Sequence, residues 1–311
     1  MRHGLRRRRR RCVVMQAAHD FSCGATARQL VALPGAELIM VGDARACTEA
    51  DLRDALDGSV AAGLFVVGDL DPPHAILDLP TFARRCHEAG VPVIVDAAAQ
   101  HALRGYIAAG ADLLIKSAQK VHARLTAGII AGRLDLVRAC LLQERGIGRP
   151  MKAGKEGIVG AIAALRRWNE HDDRARRRAW DARADLARDA LRGVRGLTAT
   201  LIDDPLGNPF RRVRIGVDPA RSGINAWELA AALMDGDPGI VVWDYDVDRG
   251  FIMLDPRPCA DEDMAFACGR VRAIVERRPA SVAATARPTV GHAAYHRDPL
   301  AWPRRPRVAA K

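Results

Sequence analysis

The sequence predicts an α/β fold in which a large domain with a mainly parallel sheet is followed by a smaller α+β domain. From about residue 12 to residue 154, short β-branched and aliphatic runs alternate with amphipathic segments. This is the pattern of β–α–β units with right-handed crossovers. After a long Ala-, Arg- and Leu-rich segment, strand patterns recur around a hairpin-like turn, which is typical of an antiparallel sheet.

In the large domain, each expected strand is a short apolar run that is followed by a helical segment. Thr48 is a candidate N-cap for one helix, with acids in the first turn after it. Pro80 lies near the start of the helix expected over 79–88, and Gly90 lies just beyond its end. The expected strands are 12–15, 37–41, 62–67, 91–95, 113–115 and 127–132, and the expected helices are 25–32, 48–56, 79–88, 101–110 and 134–143.

The remaining chain predicts a linker, a small domain and a tail. One long helix is expected over 155–192, then strands at 194–202 and 210–217, a helix at 226–235, a hairpin of 240–247 with 251–254, and a last helix at 259–275. We therefore predict an Arg-rich disordered start (1–11), a large cofactor-binding domain (12–154), a linking helix (155–192), a small α+β domain (193–276) and a disordered basic tail (277–311).

The stretch 91–120 carries the candidate chemistry. Asp96 follows one predicted strand, and Ser117 and Lys120 follow the next. Ligands of open α/β sheets bind at the carboxyl ends of the strands, so this acid and this lysine are expected to point into one crevice. A carboxylate that keeps a pyridine nitrogen protonated, with an amine that forms a Schiff base, is what an aldimine cofactor requires. Lys116 is a rival lysine, but it lies within the strand pattern.

Three ordered blocks carry a resemblance to a known family. VIVDAAAQ, GADLLIKSAQK, and the segment from TAGIIAG to GIGRPMKAGKEGI resemble the selenocysteine synthase-like family of pyridoxal 5'-phosphate (PLP) enzymes, above all its ammonia-lyase and aldolase-type members, which include the D-glucosaminate-6-phosphate ammonia lyases. The likeness extends from about residue 13 to residue 268. It implies the PLP-dependent transferase fold of type I, similar to class V aminotransferases, and a homodimer or larger homo-oligomer.

The resemblance also implies roles for residues around the cofactor. Lys120 would hold PLP as an internal aldimine, and Asp96 would be the partner of the pyridinium nitrogen. Ala98 would lie against the ring, the Ser117 hydroxyl would help to bind the cofactor phosphate, and His19 would stack on the ring or donate a hydrogen bond near it.

Two cations in the GIGRPMK block are candidate substrate ligands. The planar guanidinium of Arg149 suits a carboxylate or phosphate, and Lys152 adds positive charge beside it. The implied reaction is that of a lyase on an amino acid or amino-sugar acid, in which Lys120 abstracts the α-proton and a β-substituent is eliminated. Aldol cleavage, transamination and selenium transfer are the related alternatives.

Two departures from the family pattern favour an alternative hypothesis. VHARLTAG, which includes Arg124, replaces the Gly- and Pro-rich turn expected after the lysine, and the N-terminal segment of family members has no counterpart before the first matching strand. We therefore expect an incomplete large domain. A non-catalytic remnant that keeps the fold is the alternative interpretation.

Charge and cysteine content exclude other classes. The net charge of +11 belongs to the ends, because residues 1–11 carry seven arginines and no acid, while 277–311 carry seven arginines, one lysine and one aspartate. A nucleic-acid-binding core is therefore not expected. Seven cysteines without CxxC spacing indicate a reducing compartment, so we predict a cytoplasmic protein without a metal site. No apolar run is long enough to predict a membrane span.

Overall fold

The computed structural model of the 311-residue chain describes residues 11–20, 25–68, 75–101, 103–120, 126–170, 172–205 and 207–278. Arg124 and its neighbours at 121–125, together with most of the two Arg-rich ends (1–10 and 279–311), lie outside the described residues. The described chain forms two compact units, which divide at residues 171–172 within the segment predicted to link two domains; a short piece around 205–208 belongs to the first unit.

A six-stranded sheet organises the first unit. The strand order is β2-β1-β3-β4-β5-β6, and every neighbouring pair is parallel except β5 with β6. A mainly parallel sheet was predicted, and this prediction is confirmed. The strands are β1 (Cys12–Gln16), β2 (Glu37–Val41), β3 (Val60–Val66), β4 (Val93–Asp96), β5 (Leu113–Ser117) and β6 (Gly128–Gly132).

The helices of this unit begin where the sequence provides caps. Thr48 accepts a hydrogen bond from the Asp51 backbone and forms a capping box, as expected of the predicted N-cap. Asp78 caps the following helix, whose first turn contains proline. The helices are α1 (Ala27–Ala32), α2 (Glu49–Ala55), α3 (Leu79–Glu88), α4 (Leu103–Ala108), α5 (Leu134–Leu142) and α6 (Lys155–Glu170).

The core of the first unit lies between the sheet and its helices. Phe82 and Cys86 of α3 are fully buried and approach β3 so closely that a Cβ on Gly63 would lie 2.8 Å from the Cys86 Sγ. Glycine at this position therefore lets α3 pack directly on the sheet. Because β3 and β4 pair side by side, this packing also fixes the strand that ends at Asp96.

The second unit contains a three-stranded antiparallel sheet in the order β7-β8-β9 and its own hydrophobic core. Fully buried Arg212 on β8 forms ion pairs with the buried carboxylate of Asp204 and with Asp255. Its guanidinium lies 4.4 Å from the ring centroid of Trp243. The elements are α7 (Asp173–Ala190), β7 (Leu197–Asp203), β8 (Arg211–Val217), α8 (Pro219–Ser222), α9 (Ala226–Met234), β9 (Phe251–Leu254) and α10 (Asp261–Glu276).

Two predicted elements are wrong. The single helix expected over 155–192 is two helices, α6 and α7, because the Asp172 side chain accepts hydrogen bonds from the Arg174 and Ala175 backbone and starts a new helix. The segment 240–247 is not a hairpin strand: its described residues pair with β9 only through a bridge between Trp243 and Met253, and β9 pairs with β8.

None of the helices described here is both long enough and apolar enough to span a membrane.

Candidate active site

The predicted acid and lysine lie at the same edge of the large sheet. Asp96 is the last residue of β4 and is in register with Ile115 of β5, the parallel neighbour. Lys120 lies three residues beyond the end of β5, with an exposed side chain. Parallel strands bring their carboxyl ends to one edge, and here the charge of Lys120 acts on the Asp96 carboxyl group.

The environment of Asp96 combines burial with two favourable contacts. Burial raises the pKa of its carboxyl above the ordinary value, while a hydrogen bond from the Ala98 backbone and the charge of Lys120 act in the opposite direction. The Ala98 N–H donates to Asp96 Oδ1 at 3.1 Å. This bond orients the carboxylate, and a further positive partner would favour its charged form.

Ala98 and Ser117 join the two strand ends. The Ser117 N–H donates to the Ala98 carbonyl at 3.2 Å, and the Ala97 N–H donates to the Ile115 carbonyl at 2.9 Å. The Ser117 hydroxyl accepts a hydrogen bond from the Lys120 backbone N–H at 3.3 Å. A hydroxyl that accepts this bond can still donate its own proton to an acceptor such as a phosphate oxygen.

His19 follows β1 at this same edge and is 2% exposed. Its ring packs edge-on against Phe65 of β3, with 4.5 Å between the ring centroids. Burial lowers the pKa of the imidazole to about 4, so the ring is neutral at pH 7. A neutral imidazole can donate a hydrogen bond at one nitrogen and accept one at the other.

Two further buried residues were not predicted as part of the site. Gln100, in the loop after Asp96, and Lys116, in β5, are each 1% exposed, and the Lys116 ammonium donates to the Gln100 carbonyl. Lys116 was considered from the sequence only as a rival for the cofactor lysine. For Gln100, the one signal in the sequence was that it is the polar last residue of the VDAAAQ block, which contains Asp96.

The residues at this edge fit PLP. Within the described part of the chain, His19 Nδ1 and Gln100 Nε2 are buried polar atoms without a hydrogen-bond partner. Buried polar groups are nearly always bonded, so an edge with such atoms is suited to a ligand that carries heteroatoms. PLP is such a ligand, and the Asp96 carboxylate and Lys120 amine match its ring nitrogen and its aldehyde.

Arg149 and Lys152 are exposed and lie in and just after the 3-10 turn Arg149–Met151 that precedes α6. Neither forms an ion pair with any acid among the described residues, and no described contact joins them to Asp96 or Lys120. Two cations without a described carboxylate partner can bind an anion from solution. Among residues in the described ranges, no group of His, Cys, Asp and Glu side chains could hold a metal ion.

Comparisons with known proteins give two relatives. No protein-family model matches the chain. The D-glucosaminate-6-phosphate ammonia lyase of Salmonella typhimurium (strain 14028s / SGSC 2262) is 34% identical over 264 residues, which are 85% of this chain and 70% of that protein. A 5'-C-glycyluridine monooxygenase-decarboxylase of a Streptomyces species is 35% identical over 247 residues, which are 79% of this chain and 62% of that protein.

Solved structures confirm the predicted fold. A structure of D-glucosaminate-6-phosphate ammonia-lyase superposes with a TM-score of 0.72 at 33% identity, over 85% of this chain and 71% of that chain. A cystathione gamma lyase from Micromonospora echinospora superposes with a TM-score of 0.56 at 19% identity, over 86% of this chain and 77% of that chain, and this likeness concerns the fold alone.

Proposed function

The chain belongs to the D-glucosaminate-6-phosphate ammonia lyase family of fold type I, PLP-dependent enzymes, and on this premise we propose that it is a lyase acting on an amino acid or amino-sugar acid. The observation that carries the proposal is the position of Asp96 at the carboxyl end of β4 and of Lys120 just beyond the carboxyl end of the adjacent parallel strand β5, where the lysine charge acts on the carboxyl group.

The bound cofactor supplies an electron-withdrawing ring next to the α-carbon of the substrate. We assign the attachment of the cofactor to the Lys120 amine and the binding of its ring nitrogen to the Asp96 carboxylate. The Ala98 N–H keeps that carboxylate oriented. Neutral His19 would pack against the ring of the cofactor, and the small Ala98 side chain would leave room for that ring. The Ser117 hydroxyl would donate to the phosphate of the cofactor.

Proton transfer is assigned to Lys120. Once the amine of the substrate has replaced it on the cofactor, the Lys120 amine would be free to take the proton from the α-carbon, and its exposed side chain at the open edge of the sheet can reach a substrate. Loss of this proton lets a β-substituent depart with its bonding electrons, which leaves a double bond between the α- and β-carbons. The charge of Asp96 would balance a protonated ring nitrogen, and this would give the half-buried carboxylate a positive partner.

We assign recognition of the substrate anion to Arg149 and Lys152. A carboxylate, or a phosphate on the amino-sugar acid, would bind these exposed cations, which have no acidic partner among the described residues. Replacing either with Met should raise the KM for a phosphorylated amino-sugar acid by about tenfold or more with little change in kcat, because a charge-assisted bond contributes roughly 1.5–3 kcal/mol. Exposed Arg166 on α6 provides the control, since Arg166→Met should leave KM unchanged.

A second reaction class, decarboxylation, is favoured by one comparison. The Streptomyces relative is a monooxygenase-decarboxylase, and its identity to this chain is as high as that of the ammonia lyase. In decarboxylation the carboxyl group leaves the α-carbon instead of the α-proton, at the same site and with the same Asp96 role. Release of carbon dioxide, measured beside release of ammonia, distinguishes the two reactions.

We also propose a homodimer or larger homo-oligomer in a reducing, cytoplasmic environment. Support for association comes from exposed apolar side chains of the first unit on β6, α5 and α6: Ile130, Leu134, Leu141, Leu142, Ile158, Val159 and Ile162. The six cysteines among the described residues are all free thiols, which supports a reducing compartment. Light scattering of the active protein tests the assembly, and an active monomer would contradict it.

The decisive experiment is the absorbance spectrum of the purified protein with added PLP, before and after borohydride. A visible band that borohydride fixes covalently should form in the wild type and in Lys155→Ala, which alters an exposed lysine at the start of α6. Lys120→Ala should lack it. A folded wild-type protein without the band would overturn the enzyme proposal and favour a chain that keeps the fold without the activity. With the band present, amino acids and amino-sugar acids are then screened for elimination, aldol cleavage, transamination and selenium transfer.

A further inference from the structure

Lys116 is a fully buried charged residue that the proposed reaction does not use. It is 1% exposed and is the last residue but one of β5, where it is in register with Ile129 of β6. Along a strand, alternate residues point to opposite faces of the sheet. Lys116 therefore lies on the same face as buried Leu114, while Ser117 and Ile115 lie on the other face.

The ammonium of Lys116 donates to the backbone carbonyl of Gln100, sixteen residues earlier in the chain. A buried ammonium is costly unless it is hydrogen-bonded, and a carbonyl oxygen is a strong acceptor for it. The contact therefore fixes one particular backbone atom of the loop that follows β4.

That loop, residues 97–100, carries the contacts that orient Asp96. Ala97 donates its N–H to Ile115 of β5, and the Ala98 carbonyl accepts from Ser117. The Gln100 N–H returns to the Ala97 carbonyl at 3.1 Å, and the Ala98 N–H donates to the Asp96 carboxylate. Main-chain bonds thus attach the first half of the loop to β5, and the Lys116 ammonium attaches its far end.

We propose that Lys116 is a positioning residue for the cofactor site: by holding the Gln100 carbonyl, it keeps the 97–100 loop against β5 and so keeps Asp96 oriented for the cofactor nitrogen. The proposal rests on the proposed function, since it takes Asp96 as the cofactor's partner and Lys120 as its attachment point. Lys116 itself does not touch the cofactor.

Three variants test the proposal. Lys116→Met keeps the length of the side chain but removes the ammonium and leaves the Gln100 carbonyl buried without its donor. Lys116→Arg keeps a positive donor. Leu114→Ala is the matched control, because it creates a cavity on the same face of the same strand without altering the contact to the loop.

Lys116→Met should weaken PLP binding by about tenfold and shift the pH midpoint of the absorbance of bound PLP, because the carboxylate beside the ring nitrogen is no longer fixed. Lys116→Arg should restore both to near the wild-type values. Leu114→Ala should lower the melting temperature while leaving the spectral midpoint unchanged. Equal spectra and equal PLP affinities for Lys116→Met and Leu114→Ala would overturn the positioning role.

Hydrogen exchange on the wild-type protein covers the case in which Lys116→Met does not fold. The amides of Ala97, Ala98 and Gln100 should be protected before PLP is added and more strongly protected afterwards. Exchange at the rate of an open loop in both states would overturn the proposal.

Mass spectrometry after borohydride reduction tests the attachment of the cofactor at Lys120 separately from the role of Lys116. Cofactor found on the peptide at Lys120 upholds the site, and the variants then decide the role of Lys116. Cofactor found on Lys116 would overturn both the attachment at Lys120 and the positioning role.

Discussion

Because His19 is buried, its titration should make the free energy of unfolding depend on pH between about pH 4 and pH 6.5. The side chain is 2% exposed, and burial lowers the pKa of the imidazole from 6.5 to about 4. Between these two values the unfolded chain binds a proton that the folded chain does not, so stability falls as the pH falls. At 1.36 kcal/mol per pKa unit, the fall in the imidazole pKa from 6.5 to about 4 amounts to about 3 kcal/mol. This contribution is fully present above pH 6.5 and is lost by about pH 4.

The assay is denaturant unfolding of the cofactor-free protein, followed by circular dichroism, from pH 7.5 down to pH 4. Wild-type protein should lose about 3 kcal/mol more over this range than His19→Gln, which keeps a polar side chain but cannot titrate. Subtracting the two curves removes the contribution of every other titrating group, as long as those groups lie far from His19.

Val60→Ala provides the control, because it removes buried volume from β3 without removing a titratable group. Its curve should run parallel to that of the wild type at a lower free energy. If wild type and His19→Gln lost the same free energy between pH 6.5 and pH 4, the imidazole would not be buried in its neutral form, and its proposed position against the ring would fall with it.

Three other expectations follow from buried charge and backbone geometry. Arg212→Met should reduce the free energy of unfolding by about 3–5 kcal/mol, because it removes the guanidinium that forms an ion pair with a fully buried carboxylate. Arg211→Met breaks partly exposed ion pairs and should cost about 1 kcal/mol or less by the same denaturation assay. Gly196→Ala should reduce the free energy of unfolding by about 2–4 kcal/mol, because Gly196 has a positive φ and the added Cβ would lie 2.3 Å from a backbone nitrogen. Gly193 has a similar φ but open space around it, so Gly193→Ala should reduce the free energy of unfolding by only about 1 kcal/mol. Asp96→Asn should remove a contribution that lowers the stability of the cofactor-free protein as the pH rises above 3.8, because burial raises the pKa of this acid and its charged form is the less stable one in the fold; a difference in unfolding free energy between wild type and Asp96→Asn that does not change with pH would contradict that cause.

Much of the large domain could be predicted because its signals are local. The strand at 37–41 and the helix at 79–88 have the predicted bounds. An acid and a proline start that helix, and Gly90, with a φ of 66°, lies just after its end. Strands buried on both faces read as continuous apolar runs, so their existence was clear, although their ends were displaced by one or two residues.

The wrong predictions concern segments whose secondary structure depends on tertiary contacts or on a single cap. The segment 240–247 has the apolar and aromatic residues of a strand, yet β9 takes the place beside β8, and this choice depends on pairing between residues far apart in sequence. At α6 and α7 the composition continues unchanged through the break, and only the cap at Asp172 marks it.

The candidate site could be predicted only in part, for the same reason. Asp96, Ser117 and Lys120 are adjacent in the structure because they follow neighbouring strands, and this follows from the order of the elements. The burial of Lys116 and Gln100 is a tertiary property, and polar residues are usually exposed, so the sequence gives little reason to expect it. Arg149 and Lys152 were joined to the site by family resemblance, and their role stays a prediction.

The electrostatics of the site indicate what cofactor binding should do to stability. Without a ligand, burial disfavours the charged forms of Asp96 and His19, and the buried Nδ1 of His19 has no hydrogen-bond partner among the described residues. A ligand that brings a protonated ring nitrogen to Asp96 and a polar atom to His19 satisfies both groups in the folded state alone. Binding restricted to the folded state raises stability by about 2.7 kcal/mol at a hundredfold excess over the Kd. The thermal midpoint should therefore rise with PLP concentration, and the rise should be much smaller in Asp96→Asn, where the neutral amide cannot pair with a charged ring nitrogen.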